Sequence, residues 1–266
     1  MYTPYEIAGI ASEASVYKVN RKFFKILISS MLAGMFIGLG YYANIVIRSQ
    51  AGFDVGLNNF LGGFIFTVGI VMVIIAGADL FTGSCLIMFG VLDKKVELTK
   101  AVVHLLIVLL GNFLGGLFLA ILIYTSKMPT ETIMHYVSNI VVAKSNLGFM
   151  EAMVRGILCN ILVAIGVYMA YASKNISGKI LAAVLPVAAF VMMGFEHSVA
   201  NMFVLPLGLM FPRILPAYVG VEFDLIMNIL FKNLFPVIIG NFIGGGIILP
   251  FAYHYIYLKK NKNTSD

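Results

Sequence analysis

Six apolar runs dominate the chain, at residues 23–47, 60–92, 98–124, 148–172, 180–211 and about 234–258. Each is at least as long as a transmembrane helix requires, which is about 20 residues with a range of roughly 17–25. Within hydrocarbon every backbone N–H and C=O must be bonded inside the protein, so runs of this kind fold as helices. Of the 266 residues, 61% are apolar and 11% charged, whereas an ordinary soluble domain has about 25% charged. That composition excludes a soluble globular domain, a disordered chain, a disulfide scaffold and a nucleic-acid binder. Cys85 and Cys159 both lie in apolar runs and read as small buried hydrophobes.

Polar breaks at 48–59, 93–97, 125–147, 173–179 and 212–232 separate the runs. Assigned to alternate sides, twelve Lys and Arg residues fall on the side of both termini and five on the other, with Arg155 inside a run. The positive-inside rule then puts both termini in the cytoplasm of a multi-pass protein of the cell membrane. The net charge of +6 is largely this orientation signal. The expected organisation is a cytoplasmic segment 1–22, a three-helix unit 23–124, an extracellular connection 125–147, a second three-helix unit 148–258 and a cytoplasmic tail 259–266.

Two runs are longer than one tilted helix needs. Residues 60–92 and 180–211 number 33 and 32, and each carries an acidic residue beside glycine: Asp79 in IIAGADLFTGS and Glu196 in MMGFEHSVAN. Such a pattern predicts a helix that stops, loops and restarts. Irregular backbone at membrane depth is tolerated only inside protein or along a cavity. The two halves also correspond. GNFLGG (111–116) recurs as GNFIGG (240–245), and GAD (77–79) aligns with GFE (194–196), at offsets of 129 and 117 residues. Three spans is an odd number, so the second unit enters the membrane inverted, an arrangement of channels and transporters. The glycines read first as permitting close helix packing.

The segments AGMFIGLG (33–40), AGADLFTG (76–83), GNFLGG, RGILCN (155–160), GFEHSVANMF (194–203) and IGNFIGGG (239–246) run in order through the chain. In them the sequence resembles the formate/nitrite transporter family. The resemblance implies an all-α homopentamer whose protomer has six transmembrane helices in an aquaporin-like inverted three-plus-three repeat. The second and fifth helices would be interrupted, and each protomer would have its own pore. Its expected partners are a second copy of itself, the lipid bilayer and a small monovalent anion of a weak acid, such as formate, nitrite or hydrosulfide. No cofactor, no metal and no nucleic acid are expected.

By the same resemblance His197 is the central pore histidine, Thr82 is the polar contact of the gating loop that also holds Leu80 and Phe81, and Phe66, Ile70, Val163 and Phe190 form apolar slits. Lys144 is the vestibule lysine. From the residues alone, His197 is an ionisable group at membrane depth that titrates near neutral pH, or else a core histidine satisfied by a neighbour such as Asn160. Leu80, Phe81 and the slit residues read simply as core. Asp79 and Glu196 are proton carriers or, the preferred reading, acceptors for backbone N–H groups freed at the breaks. Arg155 is expected to pair with Glu151 one turn earlier. His104, His135 and His254 are expected in interfacial or solvated surroundings.

A bare anion is expensive to move through an apolar slit. The expected route is therefore attraction of the anion by Lys144 and helix ends. Protonation follows at His197, with Thr82 and Asn201 as its hydrogen-bond partners, and the neutral acid then crosses. A channel for neutral solutes is the alternative. An integral membrane enzyme is disfavoured by four scattered histidines and the absence of CxxC or HxxxH patterns. The segment 1–22 is expected either to cover the pore or to lie on the membrane interface.

Overall fold

A computed structural model describes residues 1–50, 52–211 and 222–259. The described chain is helical throughout: α1 (Pro4–Val19), α2 (Phe23–Gln50), α3 (Val55–Ala76), α4 (Phe81–Leu92), α5 (Leu98–Thr125), α6 (Glu131–Ser145), α7 (Phe149–Ala170), α8 (Ile176–Met192), α9 (Ser198–Leu209) and α10 (Phe223–Tyr257). Of these, α2, α3, α5, α7 and α10 are long and apolar enough to cross a membrane.

Most boundaries follow from caps. Thr3 and Glu6 form a capping box with Pro4 in the first turn of α1, satisfying donors that a helix start leaves open. Asp54 accepts from Leu57 N at the start of α3, and Asn175 from Gly178 N at the start of α8. Thr130 starts α6 inside the expected connection 125–147. The last helix differs from its expected span. It begins at residue 223 rather than near 234, because Asp224, Asn228, Lys232 and Asn233 interrupt the hydropathy without interrupting the helix. Within α10, π turns at Ile229–Leu234 and Ile243–Ile248 precede Pro236 and Pro250. A proline has no N–H to donate and crowds the carbonyl one turn back, and the wider turns fall where that ladder is broken. The rest of the expected break at 212–232, residues 212–221, and tail residues 260–266 lie outside the described residues.

Each of the two overlong runs holds two helices. The first is α3 and α4, separated by residues 77–80, and the second is α8 and α9, separated by residues 193–197. Each break carries a glycine at positive φ, Gly77 at 79° and Gly194 at 72°. A side chain is disfavoured in that conformation.

Packing brings the breaks together. α2 lies against α3 and α5, α7 against α8 and α10, and α3 against α8, while α9 packs on α5. The recurrent hexapeptides set the closest approaches. A Cβ on Gly115 would overlap the backbone oxygen of Met31, and a Cβ on Gly244 that of Ile157. Backbone carbonyls in packed helices cannot swing aside. Gly115→Ala and Gly244→Ala should therefore each lower stability by roughly 1–3 kcal/mol, read as a fall in the melting temperature of the detergent-solubilised protein.

α1 is docked on the bundle. Ile7, Ala8 and Ala11 are buried against Leu86 and Phe89 of α4, Tyr168 of α7 and Leu249 of α10. Tyr2 N donates to Ala172 O at 3.0 Å, Ser12 Oγ to Asp93 Oδ2 at 2.6 Å, and Lys95 Nζ to Glu13 Oε1 at 2.6 Å.

Candidate functional site

Where the helices break, the first turns of α4 and α9 expose N–H groups that no helical carbonyl can take. Each break is held by an asparagine from the recurrent hexapeptide. Asn112 Oδ1 accepts from Phe81 N (2.8 Å), while its Nδ2 donates to the carbonyls of Asp79 (2.9 Å) and Ser30 (2.7 Å). Asn241 Oδ1 accepts from Ser198 N (2.9 Å), while its Nδ2 donates to the carbonyls of Glu196 (3.0 Å) and Gly156 (2.8 Å). The two sets of bonds correspond group for group. Asn160 of α7 then ties α4 to α10, its Nδ2 donating to Asn241 O at 2.6 Å and to Thr82 O at 3.3 Å.

The carboxylates do something other than the preferred sequence reading. Asp79 and Glu196 accept side-chain cations, and the freed N–H groups go to Asn112 and Asn241 instead. Glu196 pairs with Lys144 at 2.6 Å and also accepts from Asn201 (2.7 Å) and Asn233 (3.1 Å). Asp79 pairs with Lys18 at 3.4 Å and with Arg21. Lys18 is in the last turn of α1 and Arg21 just beyond it, so the N-terminal segment closes the charge at the first break. Burial pushes the Lys144 ammonium down, but the Glu196 carboxylate more than offsets this and the group titrates above the usual lysine range. Its stabilising contribution is fully present below the unfolded-lysine value of about 10.4 and is lost only as pH rises through the higher folded value. Lys144 is thus charged throughout the physiological range.

His197 caps α9, its Nδ1 accepting from Ala200 N at 3.1 Å. A backbone N–H can only donate, so Nδ1 carries no proton in this arrangement. The neutral ring therefore has its hydrogen on Nε2, which faces Thr82 Oγ1 at 3.1 Å. Thr82 then accepts from the histidine and keeps its own O–H free to donate elsewhere. The ring is stacked on Phe190 with centroids 5.6 Å apart, and Phe190 meets Phe66 edge-on at 5.7 Å.

Two cavities approach this point. One, of about 420 Å³, is lined by Phe66, Phe190, Lys144, Glu196, His197 and Asn201 among others. The second, of about 220 Å³, is lined by Lys18, Arg21, Val73, Asp79 and Leu80 among others. Ile70, Val163, Phe81, Thr82 and Asn160 are buried and line neither. Among the described residues there is no group of three or more His, Cys, Asp or Glu able to hold a metal ion.

Several expected neighbours are thus together: His197 with Thr82, Phe190 with Phe66, and Arg155 with Glu151 at 2.5 Å. Asn201 is not a side-chain partner of His197. Its amide is taken by Glu196 and by Asn233 Oδ1 (2.7 Å). His104 is buried, at 2% exposure, instead of interfacial. Sequence reasoning missed Asn112, Asn241, Asn233 and the partners of Asp79. A signal for the first two was present, because the asparagine recurs with the glycines of the hexapeptide. Lys18 also precedes Lys144 by 126 residues, close to the offsets of the other paired motifs.

A family model described as formate/nitrite transporter matches residues 5–255. The formate channel FocA of Haemophilus influenzae is 33% identical over 267 residues, covering 96% of this chain and 94% of its own length. Among solved structures, a pentameric formate channel with formate bound is 30% identical with a TM-score of 0.78, covering 89% of this chain and 98% of its own. An FNT family ion channel is 25% identical with a TM-score of 0.82, covering 94% and 98%.

Proposed function

The chain belongs to the formate/nitrite transporter family, and from that premise we propose that it is a membrane channel for small monovalent weak-acid anions, with formate as the foremost substrate and nitrite and hydrosulfide as further ones. The matched relatives are formate channels, which is why formate stands first. The proposed assembly is a homopentamer, as in the matched pentameric channel. The proposed protomer crosses the membrane six times as an inverted repeat with both termini in the cytoplasm, and its second and fifth spans are the broken pairs α3–α4 and α8–α9. In this orientation the Lys144 cavity opens outward and the Lys18 cavity inward.

The observation that carries the proposal is the Thr82–His197 contact between two cavities otherwise closed by apolar side chains. An anion leaving either cavity must pass Phe66, Phe190 or Leu80, where a charge lacks solvation. At the junction the free O–H of Thr82, polarised by the Nε2–H it accepts, donates to an anion oxygen. As the anion takes up a proton it becomes a small neutral acid, and the same hydroxyl oxygen can accept from the new O–H. His197 Nδ1 is occupied by Ala200 N, so protonating the ring there would cost that cap. This favours a neutral histidine that orients Thr82, with water as the proton source. No reaction is catalysed and no metal or cofactor takes part.

Purified protein in liposomes should pass formate, nitrite and hydrosulfide at least tenfold faster than glycerol, measured in parallel by stopped-flow. Equal rates for glycerol and the anions would turn the reading to a neutral-solute channel.

A further inference from the structure

Of the cations in the outer cavity, Lys144 is matched by Glu196 and Arg155 by Glu151. Arg48 lines the same cavity and has no carboxylate within ion-pair distance among the described residues. Its Nη2 donates to Asn59 Oδ1 at 2.7 Å, its guanidinium carbon lies 5.9 Å from the centre of the Tyr136 ring, and its Nε is buried with no partner. One turn earlier on α2, Asn44 is 1% exposed and both atoms of its amide lack a partner. Gly62 of α3 makes room for both, since a Cβ there would lie 2.6 Å from Arg48 Cδ and 2.8 Å from Asn44 Nδ2. Buried polar groups are almost always hydrogen-bonded. Arg48 and Asn44 both line the cavity that also holds His197, and each carries a buried polar atom without a partner.

We propose that Arg48 and Asn44 form an anion-docking subsite of the outer cavity, ahead of His197, that favours planar two-oxygen anions. The proposal rests on the channel function above and adds a selectivity step to it. A guanidinium is suited to the two acceptor oxygens of a carboxylate or nitrite, and the Asn44 amide on the same cavity wall offers a further donor. Hydrosulfide offers a single, softer acceptor and gains little from the second donor.

The test compares the wild-type protein with Arg48→Gln, Arg48→Lys and Asn44→Leu in liposomes, measuring initial uptake against concentration for formate and for hydrosulfide. Arg48→Gln and Asn44→Leu should each raise the formate KM roughly tenfold, the scale of one hydrogen bond to a charged partner. Maximal flux and pH profile should hold within about twofold, and the hydrosulfide KM should change little. Arg48→Lys should be intermediate. Unchanged formate KM in both variants overturns the subsite. So does an equal rise for hydrosulfide, or a loss of maximal flux for every solute together with a lower melting temperature. A second readout separates this from the channel reading: the thermal shift of solubilised protein titrated with sodium formate against sodium chloride. A formate-specific shift abolished by Arg48→Gln supports the subsite even if wild-type liposomes pass no formate. No formate-specific shift in the wild type overturns it.

Discussion

Liposomes carrying His197→Phe are expected to take up formate at the rate of empty liposomes, at every pH between about 5 and 8. The substitution removes both bonds of the ring. Ala200 N loses its acceptor at the start of α9, and Thr82 Oγ1 loses the donor that polarises it. The first loss is a stability effect of about 1 kcal/mol, as for other lost helix caps. The second acts on transport. His197→Asn separates them, because asparagine is a good N-cap but too short to hold Thr82 as the imidazole does. Its melting temperature should stay within a few degrees of the wild type while its flux falls at least a hundredfold. Wild-type flux in His197→Asn would show that the histidine serves only as a cap.

Asn112→Ala and Asn241→Ala are expected to be the most destabilising single changes in the two breaks. Each removes one acceptor and two donor bonds at a buried site. Hydrogen bonds inside membrane proteins are individually modest, about 0.6 kcal/mol on average and up to about 1.7. Three lost together, with a helix N–H left unpaired in a buried turn, should amount to about 2–5 kcal/mol. The two substitutions should have similar effects because their bonds correspond group for group. They should also reduce transport of every anion alike, since the breaks position Thr82 and His197. Chemical denaturation in mixed micelles measures the first claim and the liposome panel the second. A loss below about 1 kcal/mol for either variant would mean that the breaks are held by packing instead.

Legibility from sequence divided along a physical line. Hydropathy reports what faces lipid or core, so α2, α3, α5 and α7 were readable, and the glycine-acid pairs marked both breaks because nothing else explains charge at that depth. The start of α10 was not readable, since its first turns carry Asp224, Asn228, Lys232 and Asn233 in a helix that hydropathy scores as polar. The docking of α1 was equally hidden, because it buries small residues such as Ala8, Ala11 and Ser12 that leave little periodic signal. The wiring of the site was least legible. Glu196 finds Lys144 and Asp79 finds Arg21 at sequence separations of more than 50 residues, and local pattern carries no information about such partners. The preference for backbone N–H acceptors at Asp79 and Glu196 applied a sound rule about helix starts to the wrong side chains. The asparagines that do this work stood inside a motif read for its glycines.

The identity of His197 as a neutral Nε2–H donor follows from Ala200 N alone, and it shapes the whole mechanism. On the proposed mechanism the proton goes to the substrate, and Lys144, held charged by Glu196, is an electrostatic element insensitive to physiological pH. The most direct test records the proton and the formate together. Protein-containing liposomes loaded with a pH dye are exposed to a formate gradient under voltage clamp by potassium and valinomycin, with formate followed isotopically. Close to one proton should enter with each formate, and the rate should be independent of the imposed potential. Formate entry that carries negative charge, scales with potential and leaves the internal pH unchanged would contradict the account.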